Sequence, residues 1–277
     1  MKTFSVGPRT EHFREVSCRL CQAIKTKVYF EGEGFHFVRC LDCGLVYQNP
    51  QPVFEDLKNR YQSEYYQYEL ENEQNFFQLM RLGLADIHFH RRNIPKESGF
   101  LDIGCATGML LESMAALGWR VQGVELCSES AEHARRVRGL NIVSGTLDEA
   151  GFQASSFGVV HFSHLIEHVP SPRDFLIEIH RILRDNGLVI ATTPNVRGFQ
   201  ARIFREKWRS AIADHLTLFS KGTLARLLQD TGFSVDTVKT WGGLAKGTAP
   251  AWIKRPVDRL AKQFGFGDVV LILARKR

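Results

Sequence analysis

Four cysteines near the start of the chain have the spacing of a metal site. CRLC and CLDC are separated by 18 residues and supply two pairs of thiols, Cys18 with Cys21 and Cys40 with Cys43. In a C-x2-C zinc site each pair forms a tight turn that directs two sulfurs at one ion, and Gly44 permits the left-handed backbone of such a turn. Four thiolate ligands leave no open position, so we expect a closed structural zinc site; the alternative is two chance cysteine pairs in an apolar core.

A second motif, HLIEH at residues 164–168, has the H-x-x-E-H pattern of a zinc protease. It directly follows the apolar run VVHFS and is cut off by VPSP, in which Pro170 and Pro172 leave little more than one helical turn. A protease needs a longer helix to hold both histidines. The motif is therefore expected at the carboxyl end of a strand, where an α/β sheet binds its ligands.

The stretch LDIGCATG, followed by a glutamate, has the residue types of a nucleoside site. Gly104 and Gly108 allow close approach of a ligand, but the spacing differs from the G-x-G-x-x-G of nicotinamide sites. The carboxylate of Asp102 stands where a dinucleotide would place its negatively charged pyrophosphate. Because like charges repel, it disfavours that ligand and favours a cation. Glu125, 21 residues after Gly104, is placed to accept hydrogen bonds from both ribose hydroxyls. Together these residues predict S-adenosylmethionine, an adenosine with a positively charged tail.

The elements that must position these residues alternate short apolar runs with amphipathic segments, which is typical of a parallel α/β sheet. The predicted strands are GFLDIG, WRVQGVEL, LNIVSG, FGVVHFS and GLVIATT, followed by FSVDTVKT and DVVLILAR as a closing antiparallel pair. The predicted helices lie near 108–117, 128–138, 172–185 and 220–231. We expect a Rossmann-like, doubly wound sheet of seven strands, preceded by a zinc ribbon whose two short strands lie within KVYFEGEGFHFVRC.

The chain is expected to divide into a ribbon at 1–47, a helical connector or lid at 48–95, and a main domain at 96–277 with an insert at 196–219. Most aromatic residues of the connector should pack between ribbon and main domain, although Tyr65, Tyr66 or Tyr68 could cover a ligand site. The basic insert is expected to form a lid, and its aromatic residues are Phe199, Phe204 and Trp208.

Composition excludes several classes of protein. Of 277 residues, 44% are apolar and 24% charged, which suits a globular protein with a full core. No apolar run approaches the length of a membrane span, and the charged start lacks the pattern of a signal peptide. We therefore expect a cytoplasmic protein whose six cysteines stay reduced or bind metal. The net charge of +6 indicates only weakly a nucleic-acid or membrane-surface partner.

Several segments give the main domain a family resemblance: FLDIGCATG, GVEL, SFGVVHFSHLIEHV, RILRDNGLVIATTPN and the closing strand pair. They resemble the class I S-adenosylmethionine-dependent methyltransferases, particularly the ubiquinone-biosynthesis O-methyltransferase branch, over about residues 48–277. The ribbon followed by CGLVYQNP is similar to a bacterial subgroup often associated with cell-surface polysaccharides or secondary metabolites.

The resemblance implies a set of donor-binding residues. Those implied at the methionine end are Asp102, Gly104, Cys105 and Gly108, those at the ribose and adenine are Glu125 and Leu126, and those at the adenine edge are Thr146 and Leu147. The family often has an acid at position 146 that accepts from the adenine amino group. Here Thr146 stands there, and Asp148 is a possible substitute.

The family pattern for HLIEH is acid-x-x-Glu-His, and some members use a divalent ion there. In this chain His164 replaces the first acid beside the donor site. Two interpretations follow: His164 and Glu167 form a hydrogen-bonded pair that shapes the pocket, or the segment binds a divalent metal.

Methyl transfer depends mainly on alignment, because the sulfonium is already an activated leaving group. A hydroxyl acceptor also needs a base for its proton, and the candidate catalytic residues are His215 and His168. The alternative for His215 is a helix-capping or core histidine.

Three functions are consistent with the sequence. The first is O-methylation of a small molecule such as a sugar, polyol or phenol. The second is RNA methylation, in which the ribbon and the basic insert would hold the nucleic acid. The third is a non-catalytic partner protein that keeps the methyltransferase fold and docks through the ribbon.

Overall fold

A computed structural model of the chain describes residues 12–58, 63–242 and 265–277. Residues 1–11 of the charged start lie outside these residues. The strands are β1 (Phe13–Arg14), β2 (Thr26–Gly32), β3 (Phe35–Cys40), β4 (Val46–Gln48), β5 (Gln51–Pro52), β6 (Phe100–Ile103), β7 (Val121–Glu125), β8 (Ile142–Ser144), β9 (Phe157–Ser163), β10 (Leu183–Pro194), β11 (Thr217–Leu218), β12 (Phe233–Trp241) and β13 (Val269–Lys276). The helices are α1 (Phe54–Lys58), α2 (Ser63–Asp86), α3 (Met109–Ala116), α4 (Ser128–Arg138), α5 (Pro172–Ile182), α6 (Phe199–Phe204) and α7 (Lys221–Asp230).

Seven strands form the main sheet, in the order β12-β13-β10-β9-β6-β7-β8. Strands β6 to β10 run parallel, whereas β13 is antiparallel to both β10 and β12. All seven predicted strands are present, so the predicted fold class is confirmed. The chain leaves β6 toward β7 on one side and returns through β9 on the other. The crevice of a doubly wound sheet therefore lies at the carboxyl ends of β6 and β9.

One helix boundary differs from the prediction by more than one residue. The helix predicted at 172–185 ends at Ile182, and β10 begins at Leu183, which pairs with Phe157 before the register shifts. Asn186 has a left-handed backbone (φ 61°) within the D-N-G sequence that follows. Asn and Gly tolerate this conformation, which a helix cannot contain, so the strand begins with an irregular segment.

The ribbon forms a second sheet, in the order β11-β4-β3-β2. The predicted hairpin is present as β2 and β3, which pair antiparallel from Thr26 opposite Cys40 to Gly32 opposite Phe35. The fourth strand, β11, comes from the insert in the main domain. Ribbon residues such as Leu45 also belong to the same apolar cluster as Leu101 of the main sheet. The ribbon is thus built into the main domain by a shared sheet and a shared core, and the division into three domains stays a proposal.

The connector helix α2 lies across α3 and α4. Its Tyr66 hydroxyl is 3.0 Å from His133 Nδ1 on α4. Two turns further on, Glu73 accepts hydrogen bonds from Thr107 Oγ1 at 2.8 Å and from Arg138 at 2.9 Å. These contacts hold α2 against the turn that follows β6.

The insert does not form the predicted lid. Its Trp208 is only 2% exposed and belongs to an apolar cluster with Phe30 and Phe37 of the ribbon. Of the described residues 196–219, none lines the ligand cavity. Apolar side chains of the insert are buried by the ribbon instead. No helix within the described residues is both long and apolar enough to cross a membrane.

Candidate functional site

A cavity of about 520 Å³ opens at the carboxyl ends of β6, β7 and β9, beneath α2. This is the edge at which the sequence placed the ligand. The predicted site residues that line it are Gly104, Cys105, Glu125, Leu126, Thr146, Leu147, His164 and His168. Tyr65 and Tyr68 of α2 line the cavity as well, as proposed for the connector.

Three predicted site residues lie outside this lining: Asp102, Gly108 and His215. The Asp102 side chain is 2% exposed, and its Oδ1 is 2.6 Å from His161 Nδ1 on the neighbouring strand. Asp102 therefore pairs with a buried imidazole between the strands rather than facing a ligand. Gly108 has φ 84° at the start of α3, and a Cβ there would lie 3.0 Å from the Cβ of Ala134 on α4. Close packing of α3 and α4 therefore requires this glycine.

Glu125 is held in one orientation by two backbone amides. Its Oε2 accepts from Ala106 N at 2.9 Å and its Oε1 accepts from Cys127 N at 2.8 Å. The left-handed backbone of Gly104 (φ 70°) and Ala106 (φ 49°) directs the first of these amides at the carboxylate. Burial raises the pKa of Glu125 and the two amides oppose that rise. A carboxylate has about four acceptor positions, so Glu125 can also accept from both hydroxyls of a ribose.

Glu69 is a site residue that the sequence reasoning missed. It lies on α2, is 5% exposed, lines the cavity and accepts a hydrogen bond from Ser130 Oγ at the start of α4. Burial raises the pKa of Glu69 to about 8, and the neighbouring carboxylate of Glu125 adds to the rise. The signal in the sequence was a glutamate four residues after Tyr65, on the face that carries the cavity-lining aromatics of α2.

The adenine edge of the predicted site is a tight turn. Thr146 N donates to Glu149 Oε2 at 2.7 Å, and Glu149 N donates back to Thr146 Oγ1 at 3.2 Å. The Thr146 hydroxyl thus accepts a hydrogen bond within the turn. Asp148 also lines the cavity. Asp148 is the carboxylate available here for an adenine amino group.

The HLIEH segment is a single 3-10 turn, Ile166–His168, which confirms that it is too short for a protease site. Glu167 is fully buried, and its Oε2 accepts from Thr193 Oγ1 at 2.7 Å. Its Oε1 has no hydrogen-bond partner among the described residues, and His164 Nδ1 is 3.4 Å away. Burial would raise the pKa of Glu167, but His164 and the other nearby imidazoles hold it below its usual range.

Two imidazoles meet beside Glu167. The rings of His168 and His215 pack edge to face with centroids 4.6 Å apart. Nδ1 of His168 is 2.9 Å from the carbonyl of Asp214, and Nδ1 of His215 is 2.8 Å from that of Ser210. Because a carbonyl only accepts, both Nδ1 atoms are assigned as donors and each Nε2 carries the lone pair. Burial and then the neighbouring His168 lower the pKa of His215 to about 4, so this buried ring is neutral at physiological pH.

The four ribbon cysteines converge on one point. Their sulfurs lie within 4.8 Å of one another, with 3.4 Å between Cys18 and Cys43 and 3.5 Å between Cys21 and Cys40. These distances are far longer than a disulfide and near the roughly 3.8 Å sulfur separation of a tetrahedral zinc–thiolate site. Burial raises the pKa of the Cys18 thiol, so a bound cation is needed to hold it as a thiolate. The arrangement fits zinc, as the spacing predicted.

Each cysteine pair forms a similar turn. In the first, Gln22 N donates to the carbonyl of Cys18 at 2.8 Å; in the second, Gly44 N donates to the carbonyl of Cys40 at 3.1 Å. Gln22 (φ 63°) and Gly44 (φ 76°) both have left-handed backbone, so the role predicted for Gly44 is confirmed.

Comparison with known proteins identifies the main domain. Residues 69–238, more than half the chain, match a family model described as a methyltransferase domain. The chain is 34% identical over 120 residues to the mitochondrial ubiquinone biosynthesis O-methyltransferase of Schizosaccharomyces pombe, covering 41% of this chain and 44% of that one. It is 32% identical over 131 residues to the Burkholderia lata ubiquinone biosynthesis O-methyltransferase, covering 45% and 54%. The chain thus spans about half the length of the curated relatives it matches.

Solved structures show the same fold. One is a chain of the complex between the Haloferax volcanii Trm112 methyltransferase activator and a methyltransferase, with a TM-score of 0.60 and 18% identity over 77% of this chain and 94% of that one. Another is a Thermotoga maritima S-adenosylmethionine-dependent methyltransferase, described as a possible histamine N-methyltransferase, with a TM-score of 0.55 and 23% identity over 76% and 97%. At these identities the likeness concerns the fold alone.

Proposed function

Because the chain belongs to the methyltransferase-domain family, within the class I S-adenosylmethionine-dependent methyltransferases, we propose that it transfers the methyl group of S-adenosylmethionine to an oxygen of a small molecule. The acceptor class proposed is a sugar, polyol or phenol. The observation that carries the proposal is the Glu125 carboxylate, fixed by two backbone amides in a cavity that also contains His168.

The residues around the cavity fit the donor from one end to the other. Glu125 would accept from the ribose hydroxyls, Leu126 and Leu147 would flank the adenine, and Asp148 would accept from its amino group. The turn at Gly104 and Cys105 would border the methionine end. Asp102 and Gly108 would act indirectly, by supporting the strand and the helix on either side of that turn.

His168 is the better placed of the two candidate bases. It lines the cavity, and its Nδ1–H is committed to the carbonyl of Asp214, which leaves the lone pair on Nε2. His215 packs behind it and would hold the ring of His168 in place. The bound donor supplies a methyl group on a positively charged sulfur. The acceptor oxygen would form the new bond to the methyl carbon as the carbon–sulfur bond breaks, and Nε2 of His168 would take the hydroxyl proton.

Glu167, His168 and His215 also fit a divalent cation, since one ligand atom from each lies within 4.8 Å of the others. The buried Oε1 of Glu167 has no hydrogen-bond partner among the described residues, and both imidazoles donate their other nitrogen to a carbonyl, as metal-binding histidines do. A divalent ion held there would occupy Nε2 of His168, so it would replace that imidazole as the base and would instead lower the pKa of an acceptor hydroxyl. At the ribbon, Cys18, Cys21, Cys40 and Cys43 would hold a structural zinc.

The proposal is tested with purified chain, methyl-labelled S-adenosylmethionine and a panel of sugars, polyols, catechols and RNA. Labelled small-molecule product that is lost in His168→Ala would support it. Methylated RNA, with binding that weakens steeply as salt rises, would replace it with the RNA alternative. Donor binding without transfer to any acceptor would favour the non-catalytic alternative.

A further inference from the structure

A glutamine in strand β4 of the ribbon sheet, one residue beyond the predicted ribbon, donates hydrogen bonds to the segment that carries His215. Gln48 is the last residue of β4 and is 2% exposed. Its Nε2 donates to the carbonyl of Ala213 at 2.8 Å and to that of His215 at 2.6 Å. Its backbone N donates to the carbonyl of Leu216 at 2.9 Å. Gln48 therefore donates to three of the four carbonyls of residues 213–216. This stretch is neither helix nor strand, so it has no regular pattern of internal hydrogen bonds to provide those donors.

The strand that follows continues the same attachment. Thr217 pairs with Tyr47 and Leu218 with Val46, so β11 is an additional strand of the ribbon sheet. Residues 213–218 thus form part of their backbone hydrogen bonds with β4, although they belong to the insert of the main domain. We call this stretch the docked segment.

The opposite side of the docked segment forms the back of the proposed acceptor site. Leu216 N donates to the carbonyl of Glu167 at 2.7 Å. The carbonyl of Asp214 accepts from His168 Nδ1, and the His215 ring packs on the ring of His168. The position of His168 therefore depends on the docked segment. That segment is held by Gln48, by the pairing of β11 with β4, and by Gln51 Nε2, which donates to the carbonyl of Leu216 at 3.3 Å.

We propose that Gln48 is a positioning residue through which the ribbon holds His168 and Glu167 in register at the acceptor end of the cavity. The ribbon then positions residues of the site, rather than acting only as a docking module. The proposal rests on the function proposed above. Donor binding does not depend on this link, because Glu125 and its two amides lie on β7 and the loops beside it, away from the docked segment.

A buried amide suits this task better than an apolar side chain of the same size. Two donors on one nitrogen fix the distance between the carbonyls of Ala213 and His215, whereas apolar packing would let the segment slide. Replacing the amide leaves both carbonyls without these donors, and the backbone is expected to move toward other partners.

The test compares Gln48→Met, which keeps the size but removes both donors, with Tyr47→Phe in the same strand. The Tyr47 hydroxyl is buried and has no hydrogen-bond partner among the described residues, so its loss controls for removal of a buried polar group. Three quantities are measured on the full chain: S-adenosylmethionine affinity by calorimetry, amide hydrogen exchange of residues 213–218, and turnover with the best acceptor of the panel.

For Gln48→Met we expect donor affinity within about twofold of wild type, exchange of the docked segment at least about tenfold faster, and kcat at least about tenfold lower. Tyr47→Phe should match wild type in all three. Unchanged exchange and unchanged kcat in Gln48→Met would overturn the proposal. The exchange measurement requires no reaction, so its failure is distinct from failure of the proposed function, in which wild type would not transfer methyl at all.

Gln48→Glu is the second variant, since it keeps the size and polarity but presents carboxylate oxygens to two carbonyls. It should reproduce the faster exchange and the lower kcat. If neither variant folds while Tyr47→Phe does, Gln48 is a general stability residue, and its positioning role is withdrawn.

Discussion

Glu69→Gln should make the stability of this protein less sensitive to pH. In the folded state, burial and the neighbouring Glu125 raise the pKa of Glu69 to about 8 from its ordinary 4.5. The folded protein therefore keeps the proton that the unfolded chain releases near pH 4.5. The stability associated with this group is fully present below about pH 4.5 and is lost as the pH rises to about 8. Glutamine has the shape of protonated glutamate and stays uncharged at every pH in this range. The variant therefore keeps the stability that wild type loses.

The size of the effect follows from the two pKa values. Each pKa unit corresponds to about 1.4 kcal/mol, so the wild type should lose up to about 4 to 5 kcal/mol between about pH 4.5 and pH 8 that Glu69→Gln retains. The side chain is only 5% exposed, so solvent screening reduces this little. Near pH 5 the two proteins should have similar free energies of unfolding. Near pH 8 the variant should be the more stable one.

Urea unfolding at several pH values between about 5 and 8 measures this difference. The other titrating groups are common to both proteins, so the difference between the two curves reports Glu69 together with its interaction with Glu125. Glu71→Gln is the matched control, because Glu71 is exposed on the same helix and its variant should follow wild type. Parallel curves for wild type and Glu69→Gln would refute a protonated Glu69 in the cavity.

Four further results are expected. Metal analysis of protein purified without added zinc should find one zinc per chain, whereas four freely titratable native thiols in Cys18, Cys21, Cys40 and Cys43 would exclude the site. By calorimetry, Glu125→Ala should weaken S-adenosylmethionine binding by about 2 to 3 kcal/mol, and NADH should not bind; unchanged donor affinity would contradict the assigned role of Glu125. His168→Ala should lower turnover by about 100-fold or more with donor affinity nearly intact, and by more than His215→Ala does. Because the pKa of buried His215 is about 4, any rising limb that the wild-type pH–rate profile shows well above that value should survive in His215→Ala; its disappearance would restore His215 as the base.

The local features of the fold were predictable because they depend on neighbours in the sequence. Helix α4 has the predicted bounds, and the seven strands follow from short apolar runs between turn residues. The boundary at Ile182 was not predictable from helical propensity, because it is set by the pairing of Leu183 with Phe157 in another strand. Most of the predicted donor residues follow directly after a strand, and the carboxyl ends of parallel strands meet at one edge, so the structure brings them together.

The sequence by itself determined the cysteine cluster, the α/β fold and the glutamate at the end of the second strand, because each of these depends on residue type and spacing within one or two adjacent elements. Only the tertiary structure decided which side chains face the cavity. Asp102 faces His161 across a strand pair, His215 lies behind His168, and Glu69 enters the site from a separate helix. These outcomes depend on contacts between elements far apart in the chain, and a local pattern contains no information on which partner a buried polar group will meet.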